Sequence, residues 1–291
     1  MQSIASIFVC VFLYSRVKGI EVAAVEEPFI IAKNLTIAYE LHRERKKLIA
    51  LQDINLEVKK GEFLVLVGPS GCGKTSFINA VSGLVPKSEG SVTVRGKEVT
   101  GPGPDRAMVF QDYALFPWRT VEANVRLPFE LQDLELSAAE KDDRVKKSLE
   151  LVDLLGFEKS YPYELSGGMK QRVGIARALV TSPDILLADE PFAAIDAMTR
   201  EAMQGELERI VMETGQTCIF ITHSIDEAIL LGDRVAVISY RPGKVKEIVE
   251  IDFPRPRMSN SEVKISKKYA ELRDHIWNLV KDEATQTNRG E

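Results

Sequence analysis

The sequence predicts an α/β fold built on a parallel sheet with helices on both faces. Three observations carry that prediction. A glycine loop ending in Lys-Thr lies between a strand-like run and a helix-like run. Further short apolar runs alternate with helical stretches, the rhythm of a parallel sheet. About 70 residues of helical character interrupt that alternation.

The elements follow in order. FIIAKNLTIAYE (Phe29–Glu40) and LIALQDINLEV (Leu48–Val58) alternate like half-buried strands, and Gly61 punctuates before the apolar run FLVLVG. SFINAVSGL is a short helix ending near Gly83, and GSVTVRGKEVT is a hairpin turning at Arg95-Gly96. RAMVF returns as a strand and stops at Gln111, whereas GPGPDR before it is a turn, lacking the third glycine and following helix of a dinucleotide loop. From 112 to about 180 the pattern is helical. In SAAEKDDRVKKSLELVDLLG, Val145, Leu149, Val152 and Leu155 mark one face, with Gly156 as the stop. DILLAD, TCIFIT and VAVIS then resume as strands, separated by helical AMTREAMQGELERIVMETG and SIDEAILLG. FPRPR links to a charged, helical tail over 257–291.

Bulk properties narrow the function classes. A chain of 291 residues with 45% hydrophobic and 28% charged residues has an ordinary globular composition. A net charge of −5 argues against broad attraction to nucleic acid. The clusters Arg43-Glu44-Arg45-Lys46-Lys47 and Lys264, Lys267, Lys268 are read as solvated faces. Cys10, Cys72 and Cys218 show neither metal spacing nor an even framework, which suits a reducing compartment. The apolar stretch Ile4–Tyr14 is too short for a span, which needs roughly 20 residues, and no positive charge precedes it. Residues 1–28 are therefore expected to be a loosely packed extension or an over-early start rather than a surface anchor.

Gly68-Pro69-Ser70-Gly71-Cys72-Gly73-Lys74-Thr75, followed by Ser76, matches the phosphate-loop pattern in its required strand–loop–helix context. Its backbone N–H groups and helix N-terminus suit phosphate oxygens, Lys74 neutralises the outer phosphates, and Thr75 offers a hydroxyl to Mg²⁺. The core is thus a P-loop NTPase core. ILLADEP ends a buried strand in two acids, Asp189 for the metal and Glu190 to orient or deprotonate the attacking water. His223, at the tip of CIFITHS, is placed to reach a γ-phosphate, and Gln111 is a candidate uncharged ligand to Mg²⁺ or water. A second glycine element, Ser166-Gly167-Gly168, stands 92 positions after Lys74, with Ser166 as the N-cap of a helix marked by Met169, Val173, Ala176 and Val180.

This order of phosphate loop, Gln111, LSGGMKQR, ILLADEP, Asp196 and His223 resembles the ATP-binding subunit of ABC transporters, over roughly 29–256. The resemblance implies an ATPase with an antiparallel β subdomain and an inserted helical subdomain at about 112–180. It further implies a head-to-tail dimer in which Ser166, Gly167 and Gly168 of one copy complete the ATP held at Lys74 and Thr75 of the other. By the same resemblance Tyr39 stacks on adenine, Gln111 senses the γ-phosphate, Asp196 stabilises the facing interface, and His223 holds the γ-phosphate and water. Ile195 replaces the family's frequent Leu, and Ser224 its frequent Asp after the histidine. LFPWRTVEANVRLPFE and THSIDEAILLGDRVAVISYRPGKV resemble the nitrate, sulfonate and taurine importer branch, which puts Pro117-Trp118 at a permease contact. The implied partners are a second copy, integral-membrane permease subunits and, indirectly, a solute-binding protein, with the subunit peripheral on the cytoplasmic face of the membrane. A soluble ABC-type ATPase acting on nucleic acid or ribosomes is the alternative. A stand-alone kinase or GTPase leaves LSGGMKQR unexplained.

Overall fold

A computed structural model describes residues 28–41, 46–132 and 134–287, so the N-terminal stretch and Arg43–Arg45 lie outside the described residues. Strands β1 (Ile30–Leu41), β2 (Lys46–Val58), β4 (Glu89–Val94) and β5 (Lys97–Glu98) form an antiparallel sheet in the order β2-β1-β4-β5. Strands β3 (Phe63–Val67), β6 (Arg106–Val109), β7 (Ile185–Asp189), β8 (Thr217–Ile221), β9 (Arg234–Ile238) and β10 (Val245–Glu250) form the second, ordered β10-β9-β3-β8-β7-β6. All neighbours in it are parallel except β10, which runs antiparallel to β9.

The parallel strands are continuous apolar runs because both faces are covered. Along β3, Phe63, Val65 and Val67 enter one core, and Leu64 and Leu66 enter the other. The second core is closed by the antiparallel sheet and by α1 (Lys74–Ser82), through Phe77, Ile78 and Val81. The first is closed by α5 (Gly167–Leu179), α6 (Ala197–Thr214) and α7 (Ile225–Leu231), with Val173, Leu207 and Ile229 buried against the sheet. Each such side chain contributes about 1.5–3 kcal/mol of burial.

The insertion holds α2 (Val121–Arg126), α3 (Pro128–Leu131) and α4 (Ala138–Leu151) before α5. Helix α4 ends at Leu151, short of Gly156, and the chain turns at Asp153 in the left-handed region. Val145, Leu149 and Val152 are buried as expected, but Leu155 is exposed and Leu154 takes the buried place. The helical spacing fails there because the helix has already stopped. Strand β10 is a second departure: VKEIVE carries charge at Lys246, Glu247 and Glu250, without strand alternation, and forms a strand through its pairing with β9.

The tail is helical, as α8 (Ser261–Ile265) and α9 (Lys267–Thr287), and it packs on the main core. Val263, Tyr269 and Ile276 are buried with α5–α7. Arg257 explains the attachment. It is buried, its backbone N–H donates to Glu208 Oε1 at 2.7 Å, and its Nε donates to the Phe253 carbonyl at 2.9 Å. The tail lysines form ion pairs, Lys264 with Glu201, Lys267 with Glu271 and Lys268 with Asp252.

Candidate functional site

Register brings the site together. Leu66 of β3 and Asp189 of β7 both pair with Ile221 of β8, so the three strands end level at one edge of the sheet. The phosphate loop, Asp189-Glu190 and His223 therefore emerge side by side, where ligands bind in open parallel sheets. A cleft of about 270 Å³ opens there, lined by Tyr39, Leu48, Ala50, Ser70 to Ser76, Glu190, His223 and Arg241. A larger cavity, about 640 Å³, lies where β7 and β8 begin and contains none of the predicted site residues.

Within the cleft, Gly73 caps α1 with φ 103, and a Cβ on it would stand 2.6 Å from Leu51 Cδ2 and 2.8 Å from the Ala50 carbonyl oxygen. Only glycine can turn the chain into the helix this close to β2. Lys74 is buried, and its ammonium donates to the carbonyls of Gly68 at 2.8 Å and Pro69 at 3.0 Å, which centres the charge in the loop. Cys72 is fully buried beneath the loop, and burial pushes its thiol above the ordinary value, so it is a packing residue and no exposed nucleophile. Thr75 Oγ1 donates to Asp189 Oδ1 at 3.3 Å. Burial pushes the Asp189 carboxyl up, against the pull of the Thr75 hydroxyl and the Lys74 ammonium. A hydroxyl and a partly desolvated carboxylate are hard oxygen donors of the kind Mg²⁺ takes beside phosphates and water. Among the described residues no group of three or more His, Cys, Asp or Glu side chains could hold a metal by itself. This donor set therefore suits a cation that shares its coordination with a nucleotide.

Glu190 leaves β7 in the left-handed region, with its N–H donating to the Ile221 carbonyl at 3.1 Å. That turn swings its carboxylate to His223, whose Nε2 is 2.5 Å from Glu190 Oε1. The carboxylate only accepts, so the imidazole Nε2 donates and holds the acid in place. At the far side of the cleft the Tyr39 hydroxyl donates to Ser76 Oγ at 3.0 Å, leaving the ring as a wall.

Five predicted residues, Gln111, Ser166, Gly167, Gly168 and Asp196, stand apart. Gln111 follows β6 and is exposed; Val109 pairs with Ala188, so Gln111 leaves at the same sheet edge but does not line the cleft. Ser166 caps α5 by accepting from the Met169 N–H at 3.3 Å; Ser166 and Gly167 are exposed, and neither they nor Gly168 line their own chain's cleft. Asp196, also exposed, caps α6 by accepting from the Thr199 N–H at 3.1 Å, a bond that holds its carboxyl below the usual range. Ser224 caps α7, so its replacement of Asp leaves the cap intact. The sequence reading missed Arg241, Leu48 and Ala50. For Arg241 a signal existed, since the loop after VAVIS belongs to the same strand-end edge.

Comparison with known proteins places this arrangement. Residues 51–193 match the family model described as ABC transporter. An uncharacterised ABC transporter ATP-binding protein of Methanocaldococcus jannaschii is 49% identical, over 88% of this chain and 92% of its own length. The nitrate import ATP-binding protein NrtC of Synechococcus elongatus is 43% identical over 81% of this chain, which spans 36% of that longer relative. An aliphatic sulfonates import ATP-binding protein, SsuB of Bacillus cereus, is 45% identical over 73% of this chain and 82% of its own. Among solved structures, a dimeric ATP-binding cassette in a post-hydrolysis state with ADP and Pi matches with TM-score 0.68 and 32% identity, over 77% of this chain and all of that one. These relatives are named for transport, not for action on nucleic acid or ribosomes. The chain belongs to the ABC transporter family, as one of its ATP-binding, ATP-hydrolysing subunits.

Proposed function

We propose that this chain works as a head-to-tail dimer that sandwiches two ATP molecules and drives uptake of a small anion or organic solute through a permease. The observation that carries the dimer is the separation of the two glycine elements. The Glu190–His223 pair sits beside Lys74, whereas Ser166, Gly167 and Gly168 lie outside that cleft with the capped N-terminus of α5 open to a second molecule. A helix N-terminus favours phosphate oxygens. Asp196, exposed at the start of α6, would face the partner copy.

In this reading Tyr39 stacks on adenine, and the backbone of Gly68 to Gly73 with Ser70, Lys74, Thr75 and Ser76 binds the phosphates. Thr75, Asp189 and Gln111 would hold Mg²⁺, and Gln111 would sense the γ-phosphate. The ion would supply charge neutralisation on the phosphate oxygens. Glu190 accepts a proton from water as its oxygen bonds the γ-phosphorus and the bond to the β-phosphate oxygen breaks, giving ADP and phosphate. His223 holds Glu190 and the γ-phosphate in line. The ATPase unit spans 29–256, with 112–180 as its moving subdomain.

Among the described residues no helix is long and apolar enough to cross a bilayer, and integral-membrane permease subunits would provide the transport path. Trp118 is 70% exposed beside Phe116 on the insertion, an apolar knob suited to a permease helix at the cytoplasmic face. Relatives named for nitrate, aliphatic sulfonates and bicarbonate support a small anion as cargo, and a solute-binding protein would deliver it.

The test is Glu190→Gln. ATP binding is expected to persist, hydrolysis to fall at least about 100-fold, and light scattering to show an ATP-dependent dimer. A monomer at saturating ATP would remove the two-chain site.

A further inference from the structure

The loop between β9 and β10 presses on the phosphate loop, and the ATPase scheme above leaves its side chains without a task. Gly243 shows how close the approach is, since a Cβ there would stand 2.1 Å from the Cys72 carbonyl oxygen. The Gly243 N–H donates to the Ala50 carbonyl at 2.9 Å, and its own carbonyl accepts from the Gln52 N–H at 3.0 Å. The turn is closed on itself as well, with the Ser239 N–H donating to the Lys244 carbonyl at 2.9 Å. A backbone fixed on three sides carries Arg241 into the cleft wall, with Ser70, Lys74 and His223.

Arg241 makes no ion pair or hydrogen bond with another described residue. The one carboxylate lining the cleft, Glu190, is already paired with His223. The cleft thus presents a guanidinium with five donors and no protein anion to take them. Polyphosphate is the complementary partner, and guanidinium–phosphate bonds are strong, often bidentate ones.

The loop also has an anchor far along the chain. Glu283 of α9 is buried, accepts from the Tyr240 N–H at 2.9 Å through Oε2, and pairs with Lys246 Nζ at 2.8 Å through Oε1. The residue just before Arg241 is therefore held by the C-terminal helix.

We propose that Arg241 is a nucleotide-binding residue, a second cation beside Lys74 that pairs with the phosphates of ATP and ADP, and that Glu283 positions it. This rests on the ATP-binding reading of the cleft. The C-terminal helix thereby enters the determinants of nucleotide affinity without touching the nucleotide.

The test is calorimetric titration of the full chain with ATP and with ADP. Arg241→Ala is expected to weaken both about tenfold, with Arg241→Lys recovering part of the loss. Glu283→Ala is expected to weaken both about threefold, whereas Glu283→Gln, which still accepts from Tyr240, stays within about twofold. The double variant Arg241→Ala/Glu283→Ala should bind no worse than Arg241→Ala alone, as expected for residues acting through one contact. Arg241 is exposed, so its truncation leaves the fold intact. If Glu283→Ala melts early, Glu283→Leu fills the space without an acceptor. Arg241→Ala binding like wild type would overturn the assignment while ATP binding stands. Additive losses in the double variant would overturn the positioning role. A wild type that binds neither nucleotide, like a Lys74→Ala control, would sink the ATP reading itself.

Discussion

Glu227 shows how one buried acid frames the catalytic edge. It lies on α7, accepts from Gln204 Nε2 at 2.7 Å and from the Thr222 hydroxyl, and Thr222 Oγ1 in turn accepts from the Ser224 N–H at 2.9 Å. The residues on both sides of His223 are thus tied to the helix behind them. Burial raises the Glu227 carboxyl above the ordinary value, the Glu190 charge adds to that, and Thr222, Arg200 and Gln204 oppose it. An acid raised in the folded state retains a proton that the unfolded chain has lost. Its contribution is therefore full below the unfolded value, about 4.3, and is lost as pH rises through the folded value. Glu227→Gln keeps the bonding partners and removes the titration. As pH rises from about 4 the wild type should lose stability relative to this variant, by at most about 1.4 kcal/mol per pH unit, until the folded carboxyl has ionised. Calorimetric unfolding across that range checks it, and parallel curves would show that the carboxyl is not raised.

At the scale of elements, α5 carries two roles on its N-cap residue. Ser166 starts the helix by capping Met169, and it stands where the phosphates of a second copy's ATP are proposed to dock. The roles can be separated. Ser166→Ala should cost about 1 kcal/mol of stability through the lost cap. Ser166→Asp keeps a capping oxygen and adds a negative charge, so its melting temperature should match wild type while ATP-dependent dimerisation fails. Full dimerisation of the Asp variant at saturating ATP would exclude Ser166 from the interface.

The whole molecule adds a test that no single copy can pass. If each ATP lies between Lys74 of one chain and Ser166 of its partner, a mixed dimer of Lys74→Ala and Ser166→Asp chains contains one site with both defects and one intact site. Two variants that separately fail to form an ATP-bound dimer should then form one when mixed, with one ATP per dimer by equilibrium dialysis. A site built within one chain would give no recovery on mixing.

Much of this was legible without coordinates. The phosphate loop, the acids at the tip of ILLADEP, the strand-end histidine and the hairpin at Arg95-Gly96 are local patterns, each dictated by neighbours within a few residues. Leu155 was misread and β10 was missed because local spacing does not record where a helix stops or which strand edge is open for pairing. The sequence by itself determined the fold class and the chemistry of the phosphate loop, since backbone geometry and residue type suffice for both. Only the tertiary structure decided that Asp189 sits within reach of Thr75, that His223 bonds Glu190, and that Arg241 shares their cleft while Ser166 does not. Those facts depend on register between strands, of which β3 and β8 stand more than 100 residues apart, and on the anchoring of a loop by a distant helix. Such contacts are set by packing of the whole chain and leave no periodic trace in any one segment.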